Sequence, residues 1–186
     1  MSLTSGLLIL GLMLGMAALL QRPAAAGSQS HFQANAVSHT GTIRLNGPVD
    51  KVFPLFGPVR ESDWAAGWSP ELIYPTDTDV AEGMVFKVAG ETGLGFWVIT
   101  RYDPQQHTVA YVNLTPGHMV NRILITCGEV GGKTDATITY WHVALDERGN
   151  DFVRRMDAQA YAAKMAHWQQ AINYRLETNK TKPMHH

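Results

Sequence analysis

Residues 39–56 read HTGTIRLNGPVDKVFPLF, and their hydrophobic rhythm changes halfway through. His39, Gly41, Ile43 and Leu45 alternate with Thr40, Thr42, Arg44 and Asn46, the period-two pattern of a half-buried strand. Asn46, Gly47 and Pro48 end it. Val49, Val52, Phe53 and Phe56 then fall at helical spacing, with Asn46 available as a cap, Pro48 suited to the first turn and Asp50 complementing the dipole there. Pro54 limits this helix to about two turns, and Gly57-Pro58 stops it. RESDWAAGW, residues 60–68, reads as a second short helix with Trp64 and Trp68 four apart on one side.

Strands follow. ELIYP, GMVFKVAGE, GFWVITRYDP, HTVAYVNLTPG, MVNRILITCGEV and KTDATITYWHVALD are short β-rich runs between residues 71 and 146. They are punctuated by Glu91-Thr92-Gly93, Asp103-Pro104, Pro116-Gly117 and Gly131-Gly132. Turns so closely spaced, with no helix between strands, predict an antiparallel meander. After Gly149, with Asn150 or Asp151 as cap, the 25 residues FVRRMDAQAYAAKMAHWQQAINYRL hold no Gly or Pro. Tyr161, Met165, Trp168, Ile172 and Leu176 draw one apolar stripe down a single long helix. The predicted class is therefore α+β. A curved antiparallel sheet of about seven strands wraps a long C-terminal helix, and two short helices follow the first strand. A sheet bent around one helix leaves an apolar cavity on its concave side, the default place for a ligand.

Composition narrows the function classes. The chain has 186 residues, 45% of them hydrophobic, enough for one domain with a sizeable core. Lys and Arg number 15 against 16 Asp and Glu, with no basic stripe, which argues against a nucleic-acid partner. The single cysteine, Cys127, lies in an apolar run and reads as a buried structural thiol. The eight histidines show neither HxH nor HExxH spacing, so no metal site and no cofactor are expected. At the N-terminus, Leu7–Leu20 is uncharged and short for a span, and Ala24-Ala25-Ala26 supplies a small-residue cleavage site. Residues 1–26 read as a signal peptide, with an uncleaved membrane anchor as the alternative. The protein is thus expected in a periplasmic or extracellular setting. Residues 27–36 read as a linker, 37–178 as the domain and 179–186 as a C-terminal tail.

From His39 to Leu176 the chain resembles the START-like superfamily, also called SRPBCC. The residues that carry the likeness are GTIRLNGPVDKVFPLF, WVITRYDPQQHTVAYVNLTPG and TYWHVALDERGN. The resemblance implies the helix-grip fold, with a hydrophobic cavity between sheet and C-terminal helix. It also implies a functional range that includes lipid and sterol carriers, polyketide cyclases and aromatases, and hydrolase activators. No catalytic motif transfers residue by residue.

Strand parity and the helix stripe select the expected lining of that cavity: Phe86, Val98, Tyr111, Asn113, Ile123, Tyr140, His142, Met165 and Trp168. His142 shares parity with Ile138 and Tyr140. A satisfied, partly buried histidine is the ordinary reading, and a general base the sharper one. Glu61/Asp63 and Asp77/Asp79 read as solvated loop carboxylates. FWVIT and VAYV are apolar on both faces, which a covered outer face or a homodimer contact would explain. Leu94 and Phe96, near a hairpin tip, would border the cavity entrance or touch a membrane. The expected function is an exported binding protein for a small hydrophobic or amphipathic ligand. One alternative is a polyketide cyclase/dehydrase-like enzyme in which His142, Tyr140 or Asn113 moves protons in the same cavity. The other is a non-catalytic interaction or stress protein whose cavity is filled.

Overall fold

Seven strands form one antiparallel sheet: β1 (Ala36–Leu45), β2 (Glu71–Tyr74), β3 (Val85–Gly90), β4 (Gly93–Asp103), β5 (Thr108–Thr115), β6 (Met119–Val130) and β7 (Lys133–Ala144). Their spatial order is β1-β7-β6-β5-β4-β3-β2. The structure is a computed structural model that describes residues 31–77, 79–90 and 93–183. The segment 1–26, on which the export reading rests, lies outside the described residues. No helix among the described residues is long and apolar enough to cross a membrane.

The meander follows from its turns. Gly131 and Gly132 both have positive φ, 62° and 72°, the conformation of a two-residue hairpin turn that only glycine adopts freely. That turn sets the β6–β7 register from Val130↔Lys133 to Met119↔Ala144. Along β7 the even-numbered residues from Thr134 to Ala144 are all buried while their neighbours are partly exposed, so this strand has one wet face. The first strand goes to the far edge, where β1 pairs with β7 along its whole length.

The short helices after β1 are α1 (Val49–Val52), which tightens into a 3-10 turn over Phe53–Phe56, and α2 (Pro58–Glu61). Gly57-Pro58 does stop the first, and Pro58 then opens the second, its fixed φ suiting a first turn. Asn46 does not cap α1. Its backbone N–H donates to the Asn173 side-chain oxygen and its Nδ2 donates to Glu177, which ties the end of β1 to the last helix.

The C-terminal segment is two helices rather than one: α3 (Glu147–Arg155) and α4 (Ala158–Thr178). The chain leaves the helical region at Met156 and Asp157, and the Asp157 carboxylate accepts from the Ala160 N–H to start α4. The cap of α3 is Asp146, which accepts from Gly149 N–H at 2.7 Å, in place of Asn150 or Asp151. Asn150 instead pins residues before β1, accepting from Asn35 N–H and donating to the Gln33 carbonyl.

α4 lies close to β1. Gly41 leaves room there for Tyr161 and Met165, whose atoms stand 3.2 and 3.3 Å from where a Cβ would sit. Tyr161 donates its hydroxyl to the Ile138 carbonyl at 2.6 Å. Because the helix is fixed over this edge, the concave face of β3 to β6 is covered by aromatic side chains and by α2, and a space remains between them.

Candidate functional site

Two cross-strand rows form the floor of that space. Phe86, Trp97, Asn113, Asn121 and His142 stand side by side on β3, β4, β5, β6 and β7. One step along, Ile99, Tyr111, Ile123, Tyr140 and His39 make a second row ending on β1. Each row lies on the inward face because the register carries one parity across every hairpin.

The polar half of the first row is a directed chain of hydrogen bonds. Asn113 donates from Nδ2 to the Phe96 carbonyl at 3.4 Å, so its Oδ1 is the acceptor and receives Asn121 Nδ2 at 2.9 Å. Asn121 Oδ1 in turn accepts from His142 Nδ1 at 2.7 Å. A backbone carbonyl thus fixes both amide orientations and the histidine tautomer, with the proton on Nδ1. His142 is 3% exposed and its Nε2 has no partner among the described residues. Burial, aided by Lys164 and His39, pushes its pKa down to about 4, so the ring is neutral at physiological pH. Tyr140 stacks on it and Phe152 meets it edge-on, both at 5.3 Å between centroids.

α2 and α4 supply the opposite wall. Trp64 and Trp68 donate their indole N–H groups to the Leu55 and Pro58 carbonyls, which folds the segment after α2 back over the sheet. Asp63 joins it to α4 through Arg175, 3.2 Å away. This brings Glu61, the last residue of α2, to the same space as Lys164 and Trp168 of α4. Lys164 Nζ sits 3.7 Å above the Tyr140 ring centroid and 5.5 Å from that of Trp168, a cation–π arrangement. Neither Glu61 nor Lys164 makes a side-chain hydrogen bond or ion pair with any described residue.

Both groups are only half-buried by surface, because what remains accessible is cavity wall; the protein around them still keeps their charged forms from bulk water. Burial raises the Glu61 carboxyl to about 8, against a smaller lowering by Lys164. Burial lowers the Lys164 amine to about 8, against a smaller raising by Glu61. Tyr111 and Tyr140 are pushed well above the ordinary phenol value, by burial first and then by Glu61. Tyr111 is committed to the fold through the Phe56 carbonyl, whereas the Tyr140 hydroxyl has no partner among the described residues.

The space measures about 460 Å³, is partly open to solvent and reaches Gly90 and Gly93 at the ends of β3 and β4. Of the residues expected to line it, Asn113, Tyr140, His142 and Trp168 do so. Phe86, Tyr111 and Ile123 lie deeper, around a residual void of about 20 Å³ bounded also by Tyr140 and Trp168. Three expectations are corrected. Val98 is on the outer face of β4, where parity puts it with exposed Phe96 while Trp97 and Ile99 point inward. Met165 is buried against β1 at Gly41, on the other flank of α4. Glu61 is also not a solvated loop carboxylate, since it ends a helix and lines the cavity. Missing from the expected set are Glu61, Trp68, Trp97, Asn121 and Lys164. Lys164 carries a signal: it is the only Asp, Glu, Lys or Arg between Asp157 and Arg175, and it lies four residues before Trp168 on the same side of the helix. Among the described residues no group of three His, Cys, Asp or Glu could hold a metal ion.

No protein-family model matches the chain, and no curated protein matches it in sequence. Solved structures do match in shape. Norcoclaurine synthase from Thalictrum flavum aligns with a TM-score of 0.58 at 13% identity, covering 80% of this chain and 91% of its own. An uncharacterised protein from Rhizobium leguminosarum aligns with a TM-score of 0.53 at 16% identity, over 76% and 98%. DynU16, from the dynemicin biosynthetic locus, aligns with a TM-score of 0.53 at 17% identity, over 77% of this chain and 48% of its own. Such likeness shows the fold alone, a helix-grip arrangement with a cavity between the curved sheet and the C-terminal helix.

Proposed function

We propose that the protein is an exported binding protein for one small amphipathic molecule with a flat apolar body, held in the 460 Å³ cavity. The observation that carries this reading is the division of the cavity wall. Trp68, Trp97, Tyr140 and Trp168 bring aromatic rings to it, while Glu61, Lys164 and the Asn113–Asn121–His142 row bring convergent polar groups. A volume inside the roughly 300–1,000 Å³ range of small-molecule sites, with polar and apolar groups sharing the wall about equally, suits orientation-specific binding. A long-chain lipid fits less well, because side chains occupy the deep interior around Phe86, Tyr111 and Ile123. Export is supported by the uncharged run Leu7–Leu20 followed by Ala24-Ala25-Ala26.

The test is titration of the purified protein with 8-anilinonaphthalene-1-sulfonate, a ring compound with an anionic end. Saturable binding at one dye per chain, weakened by Trp97→Ala with near-UV circular dichroism retained, is the expected result. No saturable binding by a folded protein would refute a ligand cavity. Intact mass of protein recovered from the host envelope reports separately on removal of residues 1–26.

A further inference from the structure

We propose that Lys164 is a nucleophilic amine that captures an aldehyde or ketone in the cavity as an imine, with Glu61 moving the protons. The proposal rests on the cavity being a ligand site. Its geometric basis is that a lysine and a glutamate reach one small, partly open cavity from different helices, α4 and α2, without closing on each other as an ion pair. A structural pair would be joined; these two are not. The Lys164 Nζ lies over the Tyr140 and Trp168 rings and makes no hydrogen bond to a described residue, so no such bond has to break before it meets a carbonyl. Burial brings its pKa to about 8, so a useful fraction is neutral near physiological pH. Glu61, raised to about 8, keeps its proton under the same conditions. The charged and titratable groups facing Lys164 are Glu61 from α2 and Tyr140 and His142 from β7.

The step balances within the site. The Lys164 lone pair forms the C–N bond and the carbonyl electrons move to oxygen. Glu61 gives its proton to that oxygen and takes one from nitrogen. It returns this proton as the hydroxyl leaves as water, and an iminium facing the Glu61 carboxylate remains. No oxidant or reductant is required. The substrate class is an aldehyde or ketone with a flat apolar body that the ring-lined floor accepts.

The probe is benzoylacetone, a 1,3-diketone that amines convert to a stable enaminone with loss of one water. Full-length protein incubated with it should gain one diketone less one water, mapped by peptide mass spectrometry to Lys164 with the other lysines unmodified. Lys164→Arg should abolish the adduct while its near-UV circular dichroism matches that of the wild type. Glu61→Gln should slow adduct formation by roughly a hundredfold, the scale of a lost general acid–base group. Adduct spread over surface lysines, adduct unchanged in Lys164→Arg, or no adduct in a protein that binds the dye would each overturn the proposal while leaving the binding site intact. Failure of both dye and diketone to bind would overturn the cavity reading itself.

Discussion

Replacing Glu61 with glutamine keeps the shape of the side chain and removes its ability to ionise, so the variant isolates what burying this carboxyl does to stability. Below the unfolded-state value of 4.5 the wild-type carboxyl is protonated in both states and resembles the amide. As pH rises the unfolded chain releases that proton first, while the folded protein retains it up to about 8. The unfolded state then binds fewer protons, and stability falls across this window. At about 1.36 kcal/mol per pH unit, a carboxyl so displaced costs about 3 kcal/mol between pH 5 and pH 7.5. Water in the open cavity retains part of the solvation, which reduces the expected value to about 2 kcal/mol. Urea unfolding followed by tryptophan fluorescence at several pH values should give near-coincident curves for Glu61→Gln and wild type at pH 5. The variant should lead by about 2 kcal/mol at pH 7.5, with equal m-values. His142 titrates in both proteins and cancels from the difference. A difference that stays constant from pH 5 to pH 7.5 would mean that Glu61 ionises like a solvated carboxylate, and the electrostatic account of the site would fail.

Nitrogen NMR of the His142 ring should find Nδ1 protonated and Nε2 bare from about pH 5.5 upward, with an inflection near 4; an inflection near 6.5 would contradict the relay. The sign for stability follows, since a histidine with a lowered folded value is matched by an unfolded state that binds more protons, so stability rises with pH between about 4 and 6.5. Gly149→Ala would place a Cβ 2.3 Å from the His118 carbonyl oxygen, with backbone on both sides, and should destabilise by about 3 kcal/mol in thermal or urea unfolding. Cys127 is buried with its thiol pushed up to about 12, so alkylation by iodoacetamide at pH 8 should proceed only as fast as the protein opens. Asn121→Ala leaves His142 Nδ1 and Asn113 Oδ1 without partners and should cost about 2–4 kcal/mol.

Much of the architecture was legible because turn chemistry and strand parity agree. The glycine pairs and the single change from period two to helical spacing located the strands and the helices after β1. The break at Met156-Asp157 was not legible, since no Gly or Pro marks it and both sides continue the same helical composition. Val98 was misplaced for a related reason. β4 is apolar on both faces, with Phe96 exposed and Trp97 and Ile99 inward, so alternation alone has no sign. The sign comes from the neighbours, through Phe86↔Trp97 and Trp97↔Asn113. Asn121 was within reach: counting outward in equal steps from Gly131-Gly132 pairs it with His142, and doing the same from Gly117 pairs it with Asn113. Glu61 and Lys164 differ in kind. Their chemistry arises from α2 and α4 each bringing one side chain to the same cavity, a tertiary fact that no local pattern encodes, although a lone charge in an uncharged helix run was a pointer.

The directed row from His142 to the Phe96 carbonyl also sets what each position will tolerate under substitution. Its far end is a main-chain oxygen, so the side chain at 96 is free to drift without altering the row. His142 supplies only a donor, and another N–H or O–H of similar reach could take its place. Asn113 and Asn121 must each give and receive at once, and aspartate or leucine at either position would break the sequence in the middle. Saturation mutagenesis scored by folding would therefore find constraint highest at the two interior asparagines and relaxed at both ends. Such a gradient along a single line of residues is what a one-way chain imposes and what ordinary core packing, governed by volume, does not.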